Sequence, residues 1–253
     1  MPAITAVSFS SEPGRCISKY SSSLDLVFWK SWLREPARNS LRDWMLCELS
    51  WHRVIYTRPN GGITIHTPRF TTTFGRDDLP GNSDGSYSKT PKAIPECLMA
   101  IKEEIERITQ ASYNALIVNY YQDGNDSISY HSDDETFLGP NPSIASLTLG
   151  STRDFLMRRK APSSVIGPAA TRPTEKFMLE DGDLLLMRGR TQAEWEHAVP
   201  KRKNAPGGRI NITFRRVVNR KGTENFLRYN RGDGPTWRFQ NGRMEEAPEN
   251  PGI

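Results

Sequence analysis

Histidine is scarce in this 253-residue chain, with four in all. Chemistry that needs imidazole must therefore draw on a short list. Cysteine is scarcer still: Cys16, Cys47 and Cys97 are scattered and odd in number. They form neither a disulfide framework nor a zinc spacing, which fits a reducing compartment. No apolar run approaches the roughly 20 residues of a membrane-spanning helix. The N-terminus lacks the basic-then-apolar layout of a signal peptide, and the chain has no internal repeat. The expectation is a monomer inside the cell, nuclear and/or cytoplasmic, with no membrane partner.

What is present suits one large domain with appendages. Hydrophobic residues make up 36% and charged residues 25%, so a sizeable core can form. The formal charge of +5 and pI near 9.1 favour a polyanionic partner. Residues 1–22 are rich in Ser, Gly and Pro and read as a flexible leader. After Pro36, apolar residues recur at helical spacing from Leu41 to Trp51, and 95–109 shows a helical face at 98, 101, 105 and 108. Strand-like runs follow at 115–121, 127–131, 144–149, 154–159, 175–180, 183–188 and 209–218, with Asp181-Gly182 as a two-residue hairpin signal. Many short strands between Gly/Pro turns predict a mostly β protein with flanking helices (α+β), arranged as a sandwich or jelly roll. The loop 160–173 is rich in Pro, Ser and Ala. Beyond residue 218, basic residues from Arg220 to Arg243 interleave with Phe226, Tyr229, Trp237 and Phe239. That pattern suits nucleic-acid binding, and equally a tail packed on the domain.

The chemistry gathers at Tyr130-His131-Ser132-Asp133-Asp134-Glu135. His131 and Asp133 are two apart, so on a strand they point to one side and offer an imidazole nitrogen and a carboxylate to one cation. His197, near the end of a later strand-like segment, is the expected third ligand. Two histidines and a carboxylate make a facial triad with three open positions, the arrangement of non-haem Fe(II) oxygenases. Downstream, 209–215 alternates, with Arg209, Asn211, Thr213 and Arg215 on one face and Ile210, Ile212 and Phe214 on the other. Two arginines beside an open metal site suit a dicarboxylate co-substrate, because a guanidinium grips a carboxylate through paired hydrogen bonds.

Asn119-Tyr120-Tyr121, His131-Ser132-Asp133-Asp134-Glu135, Ile144-Ala145-Ser146-Leu147, Gly182-Asp183-Leu184-Leu185-Leu186-Met187, His197 and Arg209-x-Asn211-x-Thr213-Phe214-Arg215 occur in that order. This order resembles the AlkB family of Fe(II)/2-oxoglutarate dioxygenases, from about Pro68 to Val217. It is nearest to the eukaryotic DNA/RNA alkylation-repair homologues, especially the single-strand-preferring one. The resemblance implies a double-stranded β-helix core at 111–218. Before it comes an N-terminal helical extension with a nucleotide-recognition lid at 23–110, and after it a C-terminal extension at 219–253. It implies Fe(II) on His131, Asp133 and His197, and O2 as oxidant. 2-Oxoglutarate is expected against Asn119, Tyr121, Arg209, Asn211, Thr213 and Arg215. The partner is DNA or RNA carrying alkylated bases such as N1-methyladenine or N3-methylcytosine, with aldehyde, succinate and CO2 released. Phe74, Gly75, Arg76, Asp134 and Arg158 are the expected substrate contacts, with Phe74 either stacking on the flipped base or packing in the core. Two alternatives are an oxygenase of the same fold acting on a small metabolite or a protein, and an inactive nucleic-acid-binding protein.

Overall fold

The computed structural model describes residues 1–21, 23–57, 62, 64–76, 91–161, 172–218 and 235–247. Residues 77–90 of the stretch expected to carry the lid, most of the loop at 160–173, and the basic and aromatic residues at 219–234 lie outside that set. In chain order the strands are β1 (Arg15–Lys19), β2 (Leu24–Trp29), β3 (Trp51–His52), β4 (Ile55–Thr57), β5 (Thr64–His66), β6 (Phe70–Gly75), β7 (Ala115–Tyr121), β8 (Ile128–His131), β9 (Ile144–Gly150), β10 (Arg153–Arg159), β11 (Thr174–Leu179), β12 (Leu184–Arg188), β13 (Trp195–Val199), β14 (Arg209–Arg215), β15 (Thr236–Gln240) and β16 (Arg243–Glu246). The helices are α1 (Ala37–Glu48), α2 (Glu96–Thr109) and the single turn α3 (Thr191–Glu194). No helix among the described residues is long and apolar enough to cross a membrane.

The larger sheet runs β1-β2-β12-β9-β14-β7-β6-β3-β15-β16, and a smaller one runs β11-β10-β13-β8. Two apolar clusters follow from strand parity, since successive side chains leave a strand on opposite faces. Leu116, Val118 and Tyr120 of β7, with Ile210, Ile212 and Phe214 of β14, pack on Leu41 and Met45 of α1 and Leu98, Ile101 and Ile105 of α2. The other faces of the larger sheet meet Phe155 and Met157 of β10 and Trp195 of β13 across the gap between the sheets. β7 and β14 are thus buried on both faces throughout. The result is the jelly-roll sandwich that the strand count predicts.

Several expectations change. Residues 15–19 do not belong to a loose leader but form β1, paired in register with β2 from Arg15↔Phe28 to Lys19↔Leu24. It is an edge strand with four of its five residues exposed, so it carries no apolar alternation to reveal it. Asp181-Gly182 is a turn, with Gly182 at φ +84°, but the strands it joins are not hairpin partners. β11 pairs with β10, whereas β12 crosses to the larger sheet and pairs with β2 and β9. Trp51 lies beyond the end of α1, in β3. The strands β2, β3 and β6, from before residue 110, share a sheet with the later ones. At the C-terminus, β15 pairs with β3, and Trp237 and Phe239 pack against the helix-side cluster. That part of the extension is a hairpin seated on the domain.

Candidate active site

β8 and β13 are antiparallel neighbours with His131 opposite His197, so their ring centroids lie 4.2 Å apart. Asp133 comes just beyond the end of β8, with Oδ1 4.0 Å from His131 Nε2. One ligand atom from each of His131, Asp133 and His197 fits within 4.8 Å of the others. With metal–ligand bonds of about 2 Å, such donors reach a single cation with small side-chain adjustments. His131 Nδ1 lies 2.9 Å from the Ser129 carbonyl, which can only accept; Nδ1 therefore carries the hydrogen and Nε2 is the ligand. The Asp133 amide donates to Gln192 Oε1 at 2.9 Å, fixing the backbone of the ligand loop to α3.

Electrostatics prepares the same three groups. Burial pushes the His131 imidazole below its ordinary range, and burial together with the neighbouring His131 pushes His197 down to about 3. Both rings are therefore neutral, the form that ligates. Burial opposes ionisation of Asp133, but Arg215 Nη2 donates to Oδ1 at 2.7 Å and, with the two histidines, holds the carboxyl below the usual range. Asp133 Oδ2 and His197 Nδ1 are buried without a hydrogen-bond partner. A partnerless ionised carboxylate oxygen beside two neutral imidazoles fits a divalent cation.

From this end a cavity of about 150 Å³ runs between the sheets, lined by the polar face of β14 and by Asn119 and Tyr121 of β7. Arg209 closes the far end. It is 1% exposed, its Nη2 donates to Thr148 Oγ1 at 2.9 Å, and its guanidinium carbon lies 5.4 Å from the Tyr121 ring centre. Its Nε and Nη1 are buried without partners. A buried guanidinium with two donors left over, and no acid among the described residues bonded to it, suits a carboxylate ligand. Burial pushes it down to about 10, still charged at neutral pH. Asn119 Oδ1 accepts from Arg69 Nε at 3.1 Å and Thr71 Oγ1 at 2.9 Å, leaving its amide hydrogens for the cavity. Asn211 and Thr213 line the cavity while donating to Ser146 Oγ, the Leu147 carbonyl and the Ile117 carbonyl. They hold the walls together.

The substrate expectations fare differently. Phe74 takes the core reading: it is 5% exposed and sits in the helix-side cluster with Leu98 and Leu116. Opposite Leu116 in the β6–β7 register, it has the parity of the face turned away from the cavity. Arg158 lies outside the cavity. Phe155 and Met157 of β10 point between the sheets, and Arg158 takes the opposite face, over the Tyr130 ring at 3.8 Å and bonded to Glu196 at 2.8 Å. Gly75 ends β6, and Arg76, just beyond it, is exposed. Asp134 is exposed and ion-paired with Lys160 at 2.7 Å, whereas Glu135 lines the cavity, 3.9 Å from Arg215. Arg69 and Gln192 are site residues that the motifs alone did not single out. Nothing local in the sequence marks Gln192.

The family described as "2OG-Fe(II) oxygenase superfamily" matches residues 25–215. The chain belongs to it. Among superfamily relatives, "Alpha-ketoglutarate-dependent dioxygenase alkB homolog 3" of Mus musculus is 39% identical over 180 residues, covering 69% of this chain and 61% of that protein. "DNA oxidative demethylase ALKBH2" of Arabidopsis thaliana is 31% identical over 236 residues, covering 85% and 74%. These put the chain in the AlkB family of that superfamily, as the motif order implied. The chain spans about three fifths of the alkB homolog 3 relatives' length. "The structure of OsALKBH1" shares the fold at a TM-score of 0.53 and 23% identity, over 76% of this chain and 97% of that one. The superfamily uses Fe(II), 2-oxoglutarate and O2, and the donor set found here fits both the metal and the co-substrate.

Proposed function

We propose that the protein is an Fe(II)/2-oxoglutarate-dependent dealkylase of N-alkylated nucleobases in DNA or RNA, working as a monomer. One observation carries the reading: a facial set of two neutral histidines and a carboxylate shares a buried cavity with an arginine that has no acid partner. Relatives named as an alkB homolog and a DNA oxidative demethylase support the substrate class.

His131, Asp133 and His197 would hold Fe(II), and Arg209 the distal carboxylate of 2-oxoglutarate, with Tyr121 and Asn119 beside it. When bound, the iron, co-substrate and O2 would supply hydroxylation of the N-alkyl carbon, with 2-oxoglutarate converted to succinate and CO2, and the hydroxylated adduct would then part into an aldehyde and the dealkylated base, which stays in the strand. Arg215 keeps Asp133 ionised and oriented, and its Nε remains buried without a partner. Phe155 lies against His197 at 5.3 Å and helps to exclude water from the metal side. A base enters this cavity only when flipped or already single-stranded. Glu135 and the adjacent Asp134 supply the acidic contacts at that side; the Lys160 ion pair on Asp134 is solvent-exposed and readily exchanged. Arg76 and Gly75 end a strand beside the lid region and complete the proposed substrate set.

The test incubates protein, Fe(II) and 2-oxoglutarate with an oligonucleotide carrying N1-methyladenine or N3-methylcytosine, single- and double-stranded, and follows the methyl group by mass spectrometry. Loss of the methyl group is expected. Succinate formation with every methyl group retained would replace the nucleic acid with another substrate; no succinate would overturn the oxygenase itself.

A further inference from the structure

The inward face of β10 reaches both ends of the cavity. Phe155 lies against His197 at the metal end. Two residues earlier, with the same parity, Arg153 lies against Tyr121, its guanidinium carbon 5.6 Å from the ring centre. Arg209 approaches the same ring at 5.4 Å. Tyr121 and Arg209 line the cavity, whereas Arg153 stands behind the wall, 1% exposed.

Its hydrogen bonds go to backbone. Nη1 donates to the Asp123 carbonyl at 3.2 Å, and Nη2 to the Asp126 and Pro200 carbonyls at 2.8 and 2.6 Å. The turn between β7 and β8 is thereby tied to the loop after β13. The Asp126 carboxylate is close enough to act on the charge, but its own bonds are to the Gln122 amide at 2.8 Å and to Arg53 at 3.5 Å. Neutral donors would satisfy three carbonyls without the cost of burying a cation. Asp126 and Asp123 offset part of that cost, and the geometry supplies a further role: Arg153 shares the Tyr121 ring with Arg209, at 5.6 and 5.4 Å from its centre.

We propose that Arg153 is a positioning residue for 2-oxoglutarate, fixing the Tyr121 ring from behind and adding a second buried positive charge to the Arg209 end of the cavity. The proposal rests on the co-substrate of the family. Two guanidinium groups flanking one ring repel each other in a medium that screens poorly, and a bound carboxylate relieves that repulsion. Burial first, and the Arg153 charge in the same direction, depress the Arg209 guanidinium. The arrangement should thus discriminate a dicarboxylate from a 2-oxo acid that lacks the distal carboxylate.

The test is anaerobic calorimetry of 2-oxoglutarate and of 2-oxovalerate binding to the full chain loaded with Mn(II), for the wild type, Arg153→Gln, Tyr121→Phe and the double variant. Arg153→Gln is expected to weaken 2-oxoglutarate about tenfold, the loss of one charge-assisted contribution. Mn(II) and 2-oxovalerate affinity should stay within about twofold, and the double variant should be no worse than the weaker single one, since both act through one ring. Additive losses, or equal losses for both acids or for the metal, would overturn the proposal and leave Arg153 a scaffold residue. Should Arg153→Gln not fold, Arg153→Lys keeps the cation and cannot span three carbonyls; an unchanged Kd for 2-oxoglutarate there overturns the positioning role. A wild type that binds no 2-oxoglutarate overturns the co-substrate reading itself, which separates that failure from this one.

Discussion

The two ends of the cavity bury charge in opposite ways. At the metal end the charges cancel: Arg215 is bonded to Asp133 at 2.7 Å, and burial keeps the two histidines neutral. At the far end Arg209 is as deeply buried, and no acid among the described residues is bonded to it. The metal end is therefore close to charge-balanced within the fold, whereas the arginine end carries a net positive charge suited to an anion. Stability and function should separate along the same line.

Asp133→Ala breaks the balanced end and carries the largest expected effect. Turnover of 2-oxoglutarate to succinate should vanish, and the buried Arg215 left behind should cost about 3–5 kcal/mol of stability. His131→Ala should abolish turnover as well while costing far less, because no charge is orphaned. Equal urea midpoints for the two variants would remove the distinction. Next comes Arg209→Met. With the unpaired charge replaced by an apolar side chain of similar length, the ligand-free protein should melt no lower than the wild type, and could gain about 1 kcal/mol. The KM for 2-oxoglutarate should nonetheless rise by about 10²-fold, the order expected for losing a charge-assisted pair. A large drop in stability would mean that Arg209 is compensated in a way its bonds do not show.

A smaller effect lies in the pH dependence of the metal-free fold. His197 titrates near 6.5 in an unfolded chain and is pushed by burial to about 3 in the fold. Between those values the unfolded state binds more protons, so stability falls as the pH drops from about 6.5 towards 3, and the site adds no slope above that window. Urea midpoints of metal-free protein measured from pH 7 to pH 4 should decline more steeply for the wild type than for His197→Gln. Parallel curves would remove His197 from the balance.

The balanced end was legible in the sequence because it is made of rare residues at short spacing. Four histidines leave few triads, and His131-x-Asp133 needs only a strand to bring its two groups together. The polar face of β14 was legible for a similar reason, since a strand buried on both sides cannot carry Arg209, Asn211, Thr213 and Arg215 inward unless they have work there. What could not be read is what depends on partners remote in sequence. Phe74 has the composition of a stacking residue, but its parity relative to β7 turns it onto the helices. Arg158 sits in a basic run, yet Glu196, from another strand, holds it on the outer face. β1 has no apolar alternation at all and exists because β2 offers it a row of backbone partners. The hairpin signal at Asp181-Gly182 was right about the turn and wrong about the topology, because a jelly roll changes sheets there.

The smallest effect sharpens the comparison by setting two adjacent acids side by side. Asp133 and Asp134 each meet one cation at 2.7 Å. Side-chain exposures are 2% and 7% for Asp133 with Arg215, but 54% and 30% for Asp134 with Lys160. Identical distance in water is worth about 0–1 kcal/mol, so Lys160→Ala should move the urea midpoint little, and a loss comparable to that of Asp133→Ala would mean the pair is not as exposed as its geometry. Lys160 Nζ also donates to the Gln192 carbonyl at 2.8 Å, so part of any small loss belongs to α3. If Asp134 meets the base, freeing it from Lys160 should leave KM for a methylated single-stranded oligonucleotide within about threefold, while Asp134→Ala should raise it by about tenfold, the range of a lost hydrogen bond to a buried polar group. No change in KM for Asp134→Ala would hand recognition of the base to Glu135, the acid of this run that lines the cavity.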